Sequence, residues 1–204
     1  MKITTYTGGM ASTNAYFIES RAGNLVIDAP EGTLDHLQRE NIRPAALALT
    51  HGHFDHIWDA PLITREFSCP VLGHQYDDFL FSKPSEQLRL WGLPAVIDPV
   101  KPTRYLKEGE VYEHGEWKFD ILHIPGHCPG SILFYEKSQK IIFGGDVLFA
   151  GSIGRTDLPF GSHEQLISGI KSKLLTLPDD ITVYPGHGSE TTIGEERQTN
   201  PYIR

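Results

Sequence analysis

Thr50-His51-Gly52-His53-Phe54-Asp55-His56 sets three imidazoles and a carboxylate within six positions. Local packing has no use for that density. Neutral imidazole and carboxylate are, however, the usual protein ligands of zinc and related divalent ions. Gly52 predicts a sharp backbone bend between the first two histidines, so that a loop aims neighbouring side chains at two points. Working outward, the motif follows an apolar run at 45–50 that starts just after Pro44 and reads as a buried strand. The arrangement recurs. Residues 119–124 lead through Pro125-Gly126 into His127, residues 140–143 through Gly144-Gly145 into Asp146, and residues 181–184 through Pro185-Gly186 into His187. Four apolar runs thus each deliver a potential ligand at their carboxyl ends, and such ends converge at one edge of a layered α/β fold.

The remaining chain supplies the layers. Residues 13–20 and 24–29 alternate like paired strands around a turn at Arg21-Ala22-Gly23. Residues 33–40 read as a helix with Thr33 as N-cap and Leu34 and Leu37 facing inward. A second helical stretch runs from the histidine motif to about Phe67, and 70–73 reads as a short strand. Residues 79–104 hold Phe79, Phe81, Trp91 and four prolines without a sustained period, which predicts an irregular folded flap. Strand patterns return at 117–124, 131–136, 140–143 and 181–184. Leu166, Ile167, Ile170, Leu174 and Leu177 recur at helical spacing and predict an amphipathic helix over 163–177. This order implies two sheets with helices on their outer faces, in a single domain spanning 1–204.

Composition narrows the function. Across 204 residues, Lys plus Arg total 18 and Asp plus Glu 26, a net charge of −8. That balance disfavours a nucleic-acid groove or an anionic membrane surface. Cys69 and Cys128 are too few for a disulfide scaffold or a four-thiolate zinc site. No apolar run has the length of a membrane span, and the N-terminus lacks a secretory pattern, so a cytoplasmic location and a small-molecule partner are expected.

H-G-H-F-D-H at 51–56, P-G-H at 125–127, G-G-D at 144–146 and P-G-H at 185–187 together resemble the metallo-β-lactamase superfamily. Within it the chain is similar to the small glyoxalase II-like (hydroxyacylglutathione hydrolase-like) metallohydrolases. V-I-D-A-P at 26–30, G-R-T-D at 154–157 and E-E-R at 195–197 extend the similarity. The resemblance implies a four-layer αββα sandwich holding two divalent metal ions, zinc foremost, with iron or manganese as alternatives. His51, His53 and His127 would hold the first ion, and Asp55, His56 and His187 the second, with Asp146 bridging. Asp55 would also orient a hydroxide shared by the metals. The implied reaction is cleavage of thioesters such as S-2-hydroxyacylglutathione. A mononuclear iron persulfide dioxygenase, which shares the ligand positions and a similar G-R-T-D stretch, is the alternative, as is a lactone or phosphodiester hydrolase on the same metals. The lactamases proper usually carry an arginine where His56 stands, which argues against antibiotic hydrolysis; flavodiiron relatives carry a glutamate where His53 stands, which argues against oxygen reduction. Full-length glyoxalase II enzymes add a C-terminal helical domain that helps hold glutathione; with the sequence ending at Arg204, no such domain is expected here. Arg155 is a candidate for a substrate carboxylate, or else pairs with Asp157 or Glu195. Asp28 is a candidate to orient a ligand histidine. His36, His74, His114, His123 and His163 lie outside the motif register and are expected on the surface or behind the ligands.

Overall fold

The computed structural model describes residues 2–203. Its first sheet runs in chain order through β1 (Ile3–Gly8), β2 (Thr13–Ile18), β3 (Asn24–Ile27), β4 (Pro44–Ala48), β5 (Val71–Gly73) and β6 (Arg104–Tyr105). The first three strands are antiparallel, and pairing is parallel from β3 onward. Parallel neighbours need crossovers. Here these are α1 (Thr33–Arg39), then α2 (Phe54–Ile57) with α3 (Ala60–Phe67), then α4 (Asp78–Ser82) with α5 (Pro84–Leu90). The second sheet is built from β7 (Val111–His114), β8 (Trp117–His123), β9 (Ile132–Glu136) and β10 (Ile141–Gly145). A small hairpin of β11 (Leu148–Phe149) and β12 (Ser152–Ile153) precedes α6 (His163–Gly169), and β13 (Thr182–Pro185), β14 (Thr191–Thr192) and α7 (Ile193–Thr199) follow. The spatial order of this sheet is β14-β13-β10-β9-β8-β7.

Strand periodicity explains the four layers. All six residues of β2 are buried, which requires cover on both faces of its sheet. Tyr16 and Ile18 join Phe119, Phe134 and Phe143 in the core between the sheets. Ala15 and Phe17 instead meet Leu37, Ile57 and Ile63 under the helices of the first sheet. Successive side chains of β9 divide likewise: Ile132 and Phe134 point inward, while Leu133 and Tyr135 pack with Leu166, Ile170 and Ile193 beneath α6 and α7. The αββα sandwich is therefore written in strands that are apolar at both parities.

Three expectations change. Residues 79–104 are less irregular than their prolines suggest: α4 and α5 occupy the first part, with Pro84 in the opening turn of α5, where no backbone N–H is needed. Thr33 is the first helical residue, not the cap; Gly32 caps α1 from a left-handed conformation at φ 89°, and the Thr33 hydroxyl turns back to Pro30 O at 2.6 Å. The predicted 163–177 helix ends its α-helical part at Gly169 and continues as a π-helical turn, Ile170–Leu174, that keeps Ile170 and Leu174 buried.

Candidate metal centre

The carboxyl ends of β4, β8, β10 and β13 meet at one edge of the sandwich and bring all seven predicted ligands together. His51 follows β4 and His53 caps α2, which carries Asp55 and His56 in its single turn. His127, Asp146 and His187 follow strands of the other sheet. Donor atoms of His51, His53 and His127 lie within 4.8 Å of one another, as do those of Asp55, His56 and His187 and those of His51, His56 and Asp146. Asp146 Oδ2 stands between the first two groups, 3.4 Å from His127 Nε2 and 3.3 Å from His187 Nε2. Donors of one tetrahedral zinc lie roughly 3.3 Å apart.

The ring tautomers are set from outside the cluster. Thr50 donates its hydroxyl to Asp28 Oδ2 at 2.7 Å, so it accepts from His51 Nδ1 at 3.0 Å. His56 Nδ1 donates to Asp28 Oδ2 at 2.8 Å, His127 Nδ1 to Arg155 O at 2.8 Å and His187 Nδ1 to Ala11 O at 3.1 Å. Each of these four rings therefore turns Nε2 to the centre, the arrangement by which outer partners orient metal-ligating histidines. His53 is the exception: its Nδ1 lies 2.8 Å from His127 Nε2.

Electrostatics fit a cation. Burial, followed by neighbouring imidazoles, holds His51 well below the ordinary histidine value and takes His53 down to about 3; burial also lowers His127. These three rings are neutral at pH 7, the form that ligates. Burial would raise the carboxyls of Asp55 and Asp146, yet the charge of His56 and the hydrogen bond from His187 together outweigh it and hold both below the usual carboxylate range. Two buried anions thus stand among three neutral rings, and against the lowering effect of burial they raise His56 and His187. His51 Nε2 is buried without a hydrogen-bond partner, and Asp146 Oδ1, also buried, faces His56 Nε2 at 3.2 Å. An orphaned acceptor of this kind is costly unless something electropositive meets it. The donor set and the unpaired His51 Nε2 fit a pair of divalent ions.

Several supporting residues carry no sequence signal. Thr13 Oγ1 donates to Asp55 Oδ2 at 2.7 Å. Asn14 and Tyr16 tie β2 to the His187 loop by bonds to Pro185 O, at 3.1 and 2.6 Å. Asp77 accepts from the backbone N–H groups of Gly52 and Gly130 and from Cys128 Sγ. This explains Gly52 differently from the expected bend: its φ is not positive, but a Cβ there would stand 2.7 Å from Leu80 Cβ. Gly186 is more confined still, since its Cβ would fall 2.1 Å from Asp146 Oδ1. Asp28 takes the orienting role foreseen for it. Arg155 lies at the rim, bonded to Asp157 through Nε and Nη2 at 2.8 and 2.7 Å, with its guanidinium 5.0 Å from the Trp91 ring centre. The five other histidines stay out of the cluster; His74 and His123 stack on each other, His36 on Tyr6.

A chamber of about 400 Å³ opens onto the ligands, walled by Met10, Phe54, Trp91, Leu93, Arg155 and Leu158. An apolar chamber of about 550 Å³ adjoins it. No helix among the described residues is long and apolar enough to cross a membrane.

Comparison with known proteins agrees with this geometry. The chain is 45% identical over 175 residues to hydroxyacylglutathione hydrolase GloC of Haemophilus influenzae, covering 85% of this chain and 82% of that one. The crystal structure of the BLEG-1 B3 metallo-beta-lactamase superposes with a TM-score of 0.90 at 36% identity, over 99% of both chains. TTHA1623, crystallised in a di-iron-bound form, gives 0.88 at 39% identity, over 98% of this chain and 99% of that one. Residues 8–187 match the metallo-beta-lactamase superfamily, and the chain belongs to that family.

Proposed function

We propose that the protein is a dinuclear metal-dependent hydrolase that cleaves thioesters, S-2-hydroxyacylglutathione among them, with zinc as its metal. The observation that carries this reading is Asp146 Oδ2 lying at nearly equal distance from two separate ligand triads. Similarity to GloC supports the thioester class. In this reading His51, His53 and His127 would hold one ion and Asp55, His56 and His187 the other, with Asp146 available to both. Such a pair, when bound, supplies a water acidified to near neutral pH and a Lewis acid for the carbonyl oxygen. Asp55, fixed by Thr13, accepts a hydrogen bond from the attacking water and aims it. Trp91, Leu93 and Leu158 limit bulk water above the reacting carbon. A C–O bond forms and the C–S bond breaks, giving a carboxylic acid and a thiol. Arg155 exchanges Asp157 for a carboxylate of the thiol carrier, at small cost because that pair is exposed.

Elemental analysis of the purified protein, joined to a panel of thioester, lactone, β-lactam and glutathione persulfide, tests the proposal. Two metals per chain with thioester turnover are expected, and Asp146→Asn is expected to lose metal and at least 100-fold in turnover together. Full activity in a metal-depleted Asp146→Asn protein refutes the mechanism; one iron with oxygen uptake on the persulfide replaces it.

A further inference from the structure

The 550 Å³ chamber beside the centre is walled by α4, α5 and the 158–160 loop, through Phe79, Leu80, Leu90, Trp91, Leu158 and Phe160. It adjoins the metal chamber, with which it shares His53, Gln87, Trp91 and Leu158. Its polar lining is already engaged. Lys83 pairs with Glu86 at 3.3 Å. The Gln87 amide donates to Gly52 O and Leu80 O and accepts from Phe54 N. His53 turns Nδ1 to His127. What remains is neutral and apolar, and much of it faces water: Leu90 is 76%, Phe160 67% and Trp91 49% exposed. Phe160 also holds φ at 69°, a strained conformation for a bulky side chain, and there its ring meets Phe79 across the mouth at 4.7 Å.

We propose that this chamber is an acyl subsite, and that the preferred substrates are thioesters of medium-length aliphatic or aryl acids, larger and more apolar than a 2-hydroxyacyl group. The inference rests on the hydrolase reading above. His53 is the single proposed ligand among the chamber's lining residues, whereas Asp55, His127, Asp146 and His187 line only the metal chamber, with Met10 and Ala11. The substituent on the carbonyl carbon therefore runs past His53 into the apolar chamber, and the thiol carrier leaves on the His187 side. Apolar burial rewards each added methylene by about fourfold.

The test is kcat/KM for glutathione thioesters of acetate, lactate, butanoate, hexanoate and benzoate, with wild type, Leu90→Asp and Phe160→Ala. Both substitutions fall on exposed side chains, so folding is retained. The expected result is a rise of about fourfold per methylene up to hexanoyl, with the hexanoyl-to-acetyl ratio falling at least tenfold in each variant. A flat series, or a ratio indifferent to both variants, overturns the subsite while leaving the hydrolase reading intact. Quenching of tryptophan fluorescence by S-hexylglutathione, a thioether that cannot be hydrolysed, gives a separate readout, with Trp91→Phe identifying the Trp91 signal. Tenfold weaker binding in Leu90→Asp without any thioester turnover sustains the chamber and removes the hydrolase reading. Neither binding nor turnover removes both.

Discussion

Asp28 holds φ at 61° and is buried, yet it carries no substrate and no proposed ligand bond. Its two oxygens collect Thr50 N, Thr50 Oγ1 and His56 Nδ1 within 2.8 Å, so one strained carboxylate sets two ligand rings. Asparagine tolerates the same left-handed backbone but puts an amide donor where an acceptor is needed, or surrenders the bond to Thr50 N. Asp28→Asn is therefore expected to fold and to lose 10–100-fold in metal affinity, measured by competition against a chromophoric chelator; unchanged affinity would show the contact to be incidental. His187 sets a pH dependence. Burial would lower it, but bonds to Asp146 and Asp55 outweigh burial and raise it to about 10 in the metal-free protein. Its proton stabilises the metal-free fold fully below the unfolded value of about 6.5, and that stabilisation is lost as pH rises through about 10. Metal must displace this proton, so affinity rises with pH. Calorimetric titration at pH 7 in two buffers of different ionisation enthalpy should register proton release on metal addition, and no release contradicts the assignment.

At the scale of elements, the segment over the site behaves as a separate unit. Leu88 of α5 is buried in a small cluster with Phe54 and Ile97, apart from the three larger cores. Leu88→Ala is expected to cost about 2–3 kcal/mol, felt locally. Amide exchange over 84–91 should then accelerate at least 30-fold while the global denaturation midpoint moves little; a matching global shift would place α5 in the main cooperative unit. The helices here were hard to read because α4 and α5 are short, and their apolar residues answer to different surroundings. Phe81 is buried in the first sheet's helical layer, Leu88 in the small cluster, and Phe79 faces a chamber. No single period survives that division. Where one surface governs a whole element, as for Leu166, Ile170 and Leu174 over the second sheet, periodicity predicted it. Even there the turn at Ile170–Leu174 widened to a π-helix while retaining the buried face.

Across the whole molecule, the proposed ligands come from both sheets, so bound metal ties the two halves of the sandwich at one edge. Chelation is expected to lower the melting temperature by about 5–10 °C, recovered on adding zinc, by ordinary ligand linkage; scanning calorimetry with and without chelator checks it. The sequence alone determined the family and the layer architecture, and it named seven residues that the fold brings to one edge. Those depend on residue type at fixed places after apolar runs, and local chemistry can be read locally. Only the tertiary structure decided which nitrogen of each ring faces inward, that Thr13 braces Asp55, that Asp77 accepts the Gly52 amide, and that an apolar chamber adjoins His53. Each of these joins positions distant in the chain, Thr13 to Asp55 and Asn14 to Pro185 among them. Such pairings follow from how sheets and loops pack, and no spacing along the polypeptide encodes them.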